Sequence, residues 1–334
     1  MAQKNLNFAF VIVFAIVFIL TGGGEDNAGE TEVKTRPVGA VELRGDFGHH
    51  RLTWIDSDKA AGSVNTGLSV VVRPLQWRAG RVLPHYGIGL GVAAGTRIGV
   101  PSNTSQRELL PYDRPYNGYT YGRLSVELLG VQSRLTVAYS IGATGAWSQA
   151  EPIYELFEHA EGWEHITDPE INQNLWFDVE RQLFASHHLS TGGHLFDVGI
   201  YASTSFGEVR IGQAVTGRVR LGHILGPLEG TTDATRTERR GLRGIEAFVF
   251  GEIGGELVLF DTLIDGPVFD GDPYEVTAAP FIVRGQIGAT ISPVKWVALR
   301  YTVHIRGYEI ELPDEATFTP RHRIWAALEL AVRI

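Results

Sequence analysis

Residues 323–334 alternate without a break. Ile324, Ala326, Leu328, Leu330, Val332 and Ile334 fall on one side at a period of two, and Arg323, Trp325, Ala327, Glu329 and Arg333 fall on the other. A helix does not produce this pattern. One such strand fits any sheet with a buried face, but the alternation recurs along the chain and that recurrence limits the fold. Residues 295–308 set Val297, Leu299, Tyr301, Val303 and Ile305 against Ala298, Arg300, Thr302, His304 and Arg306. Phe281, Val283, Ile287, Ala289 and Ile291 alternate with Arg284, Gln286 and Thr290. Ile245, Ala247, Val249, Ile253, Leu257 and Leu259 alternate with Glu246, Glu252 and Glu256. Adding the runs near 38–46, 63–73, 85–98, 117–129, 132–145, 173–186, 193–205 and 209–223 predicts about twelve strands.

Many of these runs reach the ~9–11 residues that cross a bilayer at a tilt. The pattern predicts an all-β fold: a closed, even-stranded, antiparallel up-and-down transmembrane β-barrel. Its aliphatic face meets lipid, its charged face lines a narrow lumen, and closure removes the strand edges that lipid cannot satisfy. The competing fold is a soluble β-sandwich, which would bury Val297, Leu299, Val303, Leu328 and Val332 against a second sheet. A barrel uses length as circumference, so the 334 residues read as one domain. Hydrophobic residues make up only 44% of the chain, as expected where every second strand residue faces lipid. A net charge of -9 argues against a nucleic-acid binder. The absence of cysteine excludes disulfides, thiolate metal sites, a cysteine nucleophile and a lipid anchor on cysteine.

Lys4 precedes an apolar run over 8–20 and then Thr21, Gly22, Gly23 and Gly24, which reads as a signal peptide over 1–24; an uncleaved anchor is the alternative. Residues 25–37 read as a polar lead-in, and the barrel occupies 38–334. The short turn at 130–133 places the long connections 101–117 and 146–172 together on the opposite, outer rim, with both termini periplasmic. Substrate-facing chemistry is expected at that rim or on the wall just below it. Ile153, Leu156 and Phe157 stand at helical spacing in 151–159 and suggest a short amphipathic helix pressed on the barrel mouth. Residues 226–240 read as a polar loop whose Arg236, Arg239 and Arg240 face solvent or phosphate head groups. Inside, acids (Asp178, Glu180, Glu246, Glu252, Glu256) and arginines (Arg210, Arg218, Arg220, Arg284, Arg300, Arg306) must pair or be hydrated.

Pro111, Tyr112, Asp113, Arg114, Pro115, Tyr116, Asn117, Gly118, Tyr119, Thr120, Tyr121 and Gly122, entering the fourth strand, resemble the signature of the outer-membrane lipid A 3'-O-deacylase family. Gly162 and Trp163, the segment 261–269, and Pro280 with Phe281 are further points of similarity. The resemblance implies a twelve-stranded outer-membrane barrel, in agreement with the strand count. It also implies hydrolysis of an ester-linked acyloxyacyl chain of lipid A in lipopolysaccharide, with calcium and a histidine that activates water. The family carries Asn-Asp on its first strand, Tyr-Thr on its second, and a histidine after a Glu-x-x-Gln stretch in the loop after the fifth.

Gly45 and Asp46 stand at the first of these places, Val64 and Asn65 at the second with Thr66 one residue later, and His159 after Glu151 and Tyr154 at the third. The site implied by the resemblance has His159 as base, with Asp46 and Asn65 holding calcium and Asn65 or Thr66 contributing a neutral ligand or donor. Asp113, Arg114, Pro115 and Tyr116 read as architectural, the Asp-Arg pair tying the loop to the rim. Neither His49 with His50 nor His187 with His188 makes a metal pair, because adjacent residues of an extended strand point to opposite faces. Three readings stay open on the sequence: a monomeric lipid A esterase, an inactive structural relative, and a small pore. Lumen charges of both signs favour a filled interior over a channel.

Overall fold

The computed structural model describes residues 40–49, 63–78, 85–99, 117–130, 132–156, 170–186, 194–225, 245–265, 277–294, 296–311 and 323–333. The expected signal peptide and lead-in, His50, Asp113, Arg114, Pro115, Tyr116, His159, His187, His188 and the loop 226–240 lie outside them. The first nine strands are β1 (Ala40–His49), β2 (Ser63–Arg78), β3 (His85–Gly99), β4 (Asn117–Leu129), β5 (Ser133–Ala143), β6 (Ile171–Ala185), β7 (His194–Gly207), β8 (Arg210–Ile224) and β9 (Glu246–Asp261). The sheet is completed by β11 (Phe281–Val294), β12 (Val297–Arg306) and β14 (Arg323–Arg333). These twelve close into a barrel in which every neighbour is antiparallel and β14 pairs with β1 from Glu42↔Arg333 to His49↔Ala326. Two short strands, β10 (Thr277–Ala278) and β13 (Ile310–Glu311), pair separately on one rim.

The alternation resolves as lipid outside and charge inside. Ile253 (71% exposed), Leu68 (62%) and Ile287 (61%) stand on the outer face, while Glu42, Glu180, Arg218 and Arg220 are buried within. Leu299 and Leu328 are also exposed, so no second sheet covers them and the sandwich is excluded. The strand ends at 49, 63, 99, 117, 143, 171, 261, 281, 306 and 323 stand on one rim, the rim expected to face outward, opposite the start of β1 and the end of β14. One hairpin departs from the expected division into long outer loops and short inner turns. β7 and β8 join on the outer rim through Glu208 and Val209 alone, whereas β8 ends and β9 begins on the rim of the termini with residues 225–245 between them in sequence. Gly207 has φ +157, where a side chain would overlap the Gln173 carbonyl, so the tight turn requires glycine.

Ion pairs tie the lumen across strands. Arg210 reaches Asp261 (3.1 Å) and Glu256 (2.8 Å), Arg306 reaches Glu256 (2.7 Å) and Glu309 (2.6 Å), and Arg323 reaches Glu309 (2.5 Å). This chain links β8, β9, β12 and β14 near the outer rim. Arg134 and Arg218 share Glu180 at mid-wall. Toward the rim of the termini, Arg220 holds Asp197, which also accepts from Gln182 (2.8 Å) and bonds His194 (3.0 Å). Ile224, Phe248 and Phe250 pack beside that group. A short helix, Thr262–Asp265, caps one side of the outer rim; the Asp265 carboxylate accepts the N–H of Asp261 (2.7 Å) and of Ala278 (2.6 Å), and burial pushes its carboxyl above the ordinary range.

Because Ile253 lies at the middle of β9 on the lipid face, Ile253→Arg should cost about 2–4 kcal/mol in reversible folding into bilayers. Substituting Arg220 by Leu leaves Asp197 buried beside one imidazole and should cost about 3–5 kcal/mol in the same assay.

Candidate functional site

On a lipid-facing wall each outward residue is normally apolar, since a polar group there finds no water. The outer thirds of β2, β3 and β4 break this rule on one rung. The register pairs Phe47 with Thr66, Thr66 with Thr96, and Thr96 with Thr120. These positions share the outward phase of Leu68, Leu90, Val92, Leu124 and Val126, all exposed. Three threonines therefore stand side by side on the outside of the barrel.

Two of the hydroxyls are consumed by a ledge that leaves β5. A 3-10 turn (Gly145–Ser148) leads through Gln149, which adopts φ 54, into α1 (Ala150–Glu155). Thr120 Oγ1 donates to the Ser148 carbonyl (2.5 Å), so the contact between Thr96 Oγ1 and Thr120 Oγ1 (2.8 Å) is donated by Thr96. Ser148 is itself buried, and its hydroxyl donates to the Gly145 carbonyl (2.7 Å). The Thr66 hydroxyl, by contrast, takes no partner among the described residues and is only half-buried.

The ledge lies against the wall because Gly118 has no side chain: a Cβ there would overlap that of Ala150. Ala150, Tyr154 and Ile98 are buried beneath it. This corrects the expected helix in two respects. It rests on the outer wall at β3 and β4, not on the mouth, and its buried residues are Ala150 and Tyr154; Ile153 is half-buried and Leu156 is 78% exposed. Helical spacing identified an apolar stripe, but the glycine beneath selected the small residue for contact. Leu156 and Trp147 are left exposed, an aliphatic and an aromatic side chain of the kind a membrane interface stabilises.

Directly inward of the threonine row, the next rung is Leu68, Ala94, Gly122 and Ile141. Leu68 and Ile141 project, while a Cβ built on Gly122 meets nothing within 4 Å. Ala94 and Gly122 thus leave a shallow apolar notch below the hydroxyls, open to the membrane.

The expected site residues are only partly assembled here. Asp46 pairs with Gly67, not with Thr66, and its carboxylate lies over the space where Gly67 lacks a side chain. Arg44 and Glu329, joined at 3.3 Å, share its lumen face. The barrel wall therefore separates Asp46 from the Thr66 hydroxyl, because a one-residue step in a strand reverses the face. Asn65 pairs with Gly48. His49 ends β1, paired with Val64 and Ala326. Thr96, Thr120, Gly118 and Gly122 were not singled out as site residues from the sequence; a threonine at the lipid-facing phase of three successive strands is the signal that identifies the row.

Replacing Gly118 by Ala should lift the ledge without opening the barrel. Hydrogen exchange over 145–156 should rise at least about tenfold while β3 and β4 stay protected.

The chain covers 88% of its own length and 99% of the partner in a superposition on LpxR from Salmonella typhimurium, at 15% identity and a TM-score of 0.62. The β domain of the Bordetella autotransporter BrkA follows at 12% identity and a TM-score of 0.41, covering 88% of this chain and 98% of that one. The transport unit of the autotransporter AIDA-I from Escherichia coli stands at 9% and 0.41, covering 96% and 97%. No curated protein sequence matches the chain. The family described as outer membrane protein LpxR matches residues 49–333, and the chain, an outer-membrane β-barrel, belongs to that family.

Proposed function

We propose that the protein is an outer-membrane esterase that removes an ester-linked acyl or acyloxyacyl chain from the lipid A of lipopolysaccharide. The observation that supports this most directly is a Thr66 hydroxyl without a partner among the described residues, on the lipid-facing wall above the notch at Ala94 and Gly122 and beside the ledge. A lipid chain lying on the wall fills the notch with its methylenes and brings its ester to the threonine row. Thr66 then donates a hydrogen bond to the ester carbonyl, which strengthens as the oxygen gains charge in the tetrahedral transition state. His159 is the proposed base. It takes a proton from the attacking water and returns it to the departing alcohol oxygen. The closed sheet leaves no edge for pairing with another copy, which supports action as a monomer.

Calcium binding, with Asp46 and Asn65 among its ligands, belongs to the same proposal. A calcium ion takes six to eight oxygens. No three carboxylate or imidazole side chains converge among the described residues, and Asp46 stands behind the wall from Thr66. The described residues alone do not fit the ion at the threonine row, so no step is routed through it.

Mass spectrometry of lipid A from cells with and without the protein tests the reaction. Loss of one acyloxyacyl unit is expected, and an unchanged acyl pattern with the folded barrel present in the outer membrane would establish the inactive relative instead. His159→Ala should abolish cleavage. Thr66→Val, which preserves shape, should slow it by about 10²–10³-fold if the hydroxyl meets the oxyanion. Gly122→Leu should block the notch, slowing cleavage while heat-modifiable gel mobility stays that of the folded barrel. Chelation by EDTA separates a calcium-dependent rate from one that needs no metal.

A further inference from the structure

The lumen encloses a cavity of about 520 Å³, within the ~300–1,000 Å³ range of small-molecule sites. Nine arginines line it against four carboxylates, Asp178, Glu180, Glu252 and Glu256. Asp261 and Glu309 add two more from just outside the lining, by pairing with Arg210, Arg306 and Arg323. Arginine still exceeds acid there, in a chain whose net charge is -9.

The surplus resides at identifiable places. Arg97, Arg123 and Arg284 have no carboxylate at ion-pair distance among the described residues, although all three line the cavity. Arg123 is held by aromatic faces, its Cζ 4.8 Å from the Trp176 ring centroid and 5.8 Å from that of Tyr121. Arg284 lies 5.9 Å from the Tyr201 centroid and donates to Thr216 Oγ1 through Nε (3.1 Å) and Nη2 (2.8 Å). These contacts fix the planes of the guanidinium groups without neutralising them. Arg210 and Arg306, each more than nine-tenths buried, also line the cavity with an Nε that lacks an acceptor among the described residues.

Positive charge held on rigid walls of a concave site attracts a counter-ion, and a planar fork of N–H donors matches the oxygens of phosphate. We propose that the lumen cavity is a binding site for a phosphate-type oxyanion, supplied either as a free phosphate or as the phosphate of a lipid headgroup reaching in from the outer rim. The Asp197–Arg220 group and the Phe248 and Phe250 side chains occupy the lumen toward the other rim, which favours retention over passage. This site lies on the opposite side of the wall from the threonine row, so it stands or falls independently of ester hydrolysis.

The test uses the full barrel in a neutral detergent. Inorganic phosphate at constant ionic strength should raise the unfolding midpoint above that in chloride, and Arg123→Gln with Arg284→Gln should remove the difference. Gel mobility reports whether that double variant folds; if it does not, Arg97→Gln is measured in its place and should at least halve the shift. A parallel titration with lipopolysaccharide in the micelles assigns the source: a shift there, lost in the same variants but absent with free phosphate, identifies the headgroup. Equal midpoints in phosphate and chloride with no lipid effect, or a shift that survives the substitutions, would overturn the proposal. So would steady anion-selective current across planar bilayers, which would make the lumen a pore.

Discussion

Lipid offers no hydrogen bonds, so a sheet surrounded by it must satisfy every backbone N–H and C=O within itself. The pairing of β1 with β14 meets that requirement, and the remainder of the structure depends on it. Once the sheet closes, its two faces stop being equivalent. One becomes a belt against hydrocarbon and the other a narrow interior with little water. Period-two alternation is the covalent means by which one chain serves both environments.

The interior carries the cost of closure. Buried carboxylates and guanidiniums need partners or hydration, and most find them in chains that cross from strand to strand. The link from Asp261 through Arg210, Glu256, Arg306 and Glu309 to Arg323 connects four strands near the outer rim. Sharing makes these pairs interdependent: Glu256 serves two arginines, and so do Glu180 and Glu309. Where sharing ends, positive charge is left over on walls stiffened by rings and threonines, and the interior becomes more than filling.

The outer face carries a polar rung across β2, β3 and β4, and its chemistry follows from the same economy. Thr96 and Thr120 are tolerated because the ledge completes their hydrogen bonds. The ledge in turn can lie flat only because Gly118 gives it room. Thr66 is the exception that a lipid carbonyl would complete. A hydroxyl that would be a defect on an ordinary barrel wall becomes useful under the proposed hydrolysis of a lipid ester, since desolvation strengthens the bond it makes.

Alternation by itself determined the barrel, the lipid-facing residues such as Leu299 and Leu328, and the inward set from Asp178 to Arg306, because a side-chain period of two depends on the backbone alone. The run ending in Gly122 also carried the family resemblance. Register was decided only by the tertiary structure. Asp46 and Thr66 lie at the expected ends of neighbouring strands, yet Asp46 meets Gly67, and that one-residue offset turns the two side chains to opposite faces. The threonine row likewise joins positions 66, 96 and 120 from separate strands, whose alignment depends on two pairings that no local pattern encodes. The choice of Ala150 over Leu156 as the ledge's contact rests on a glycine more than thirty residues earlier in the chain. Periodicity fixes which side of a strand a residue takes; closure and register fix what it meets there.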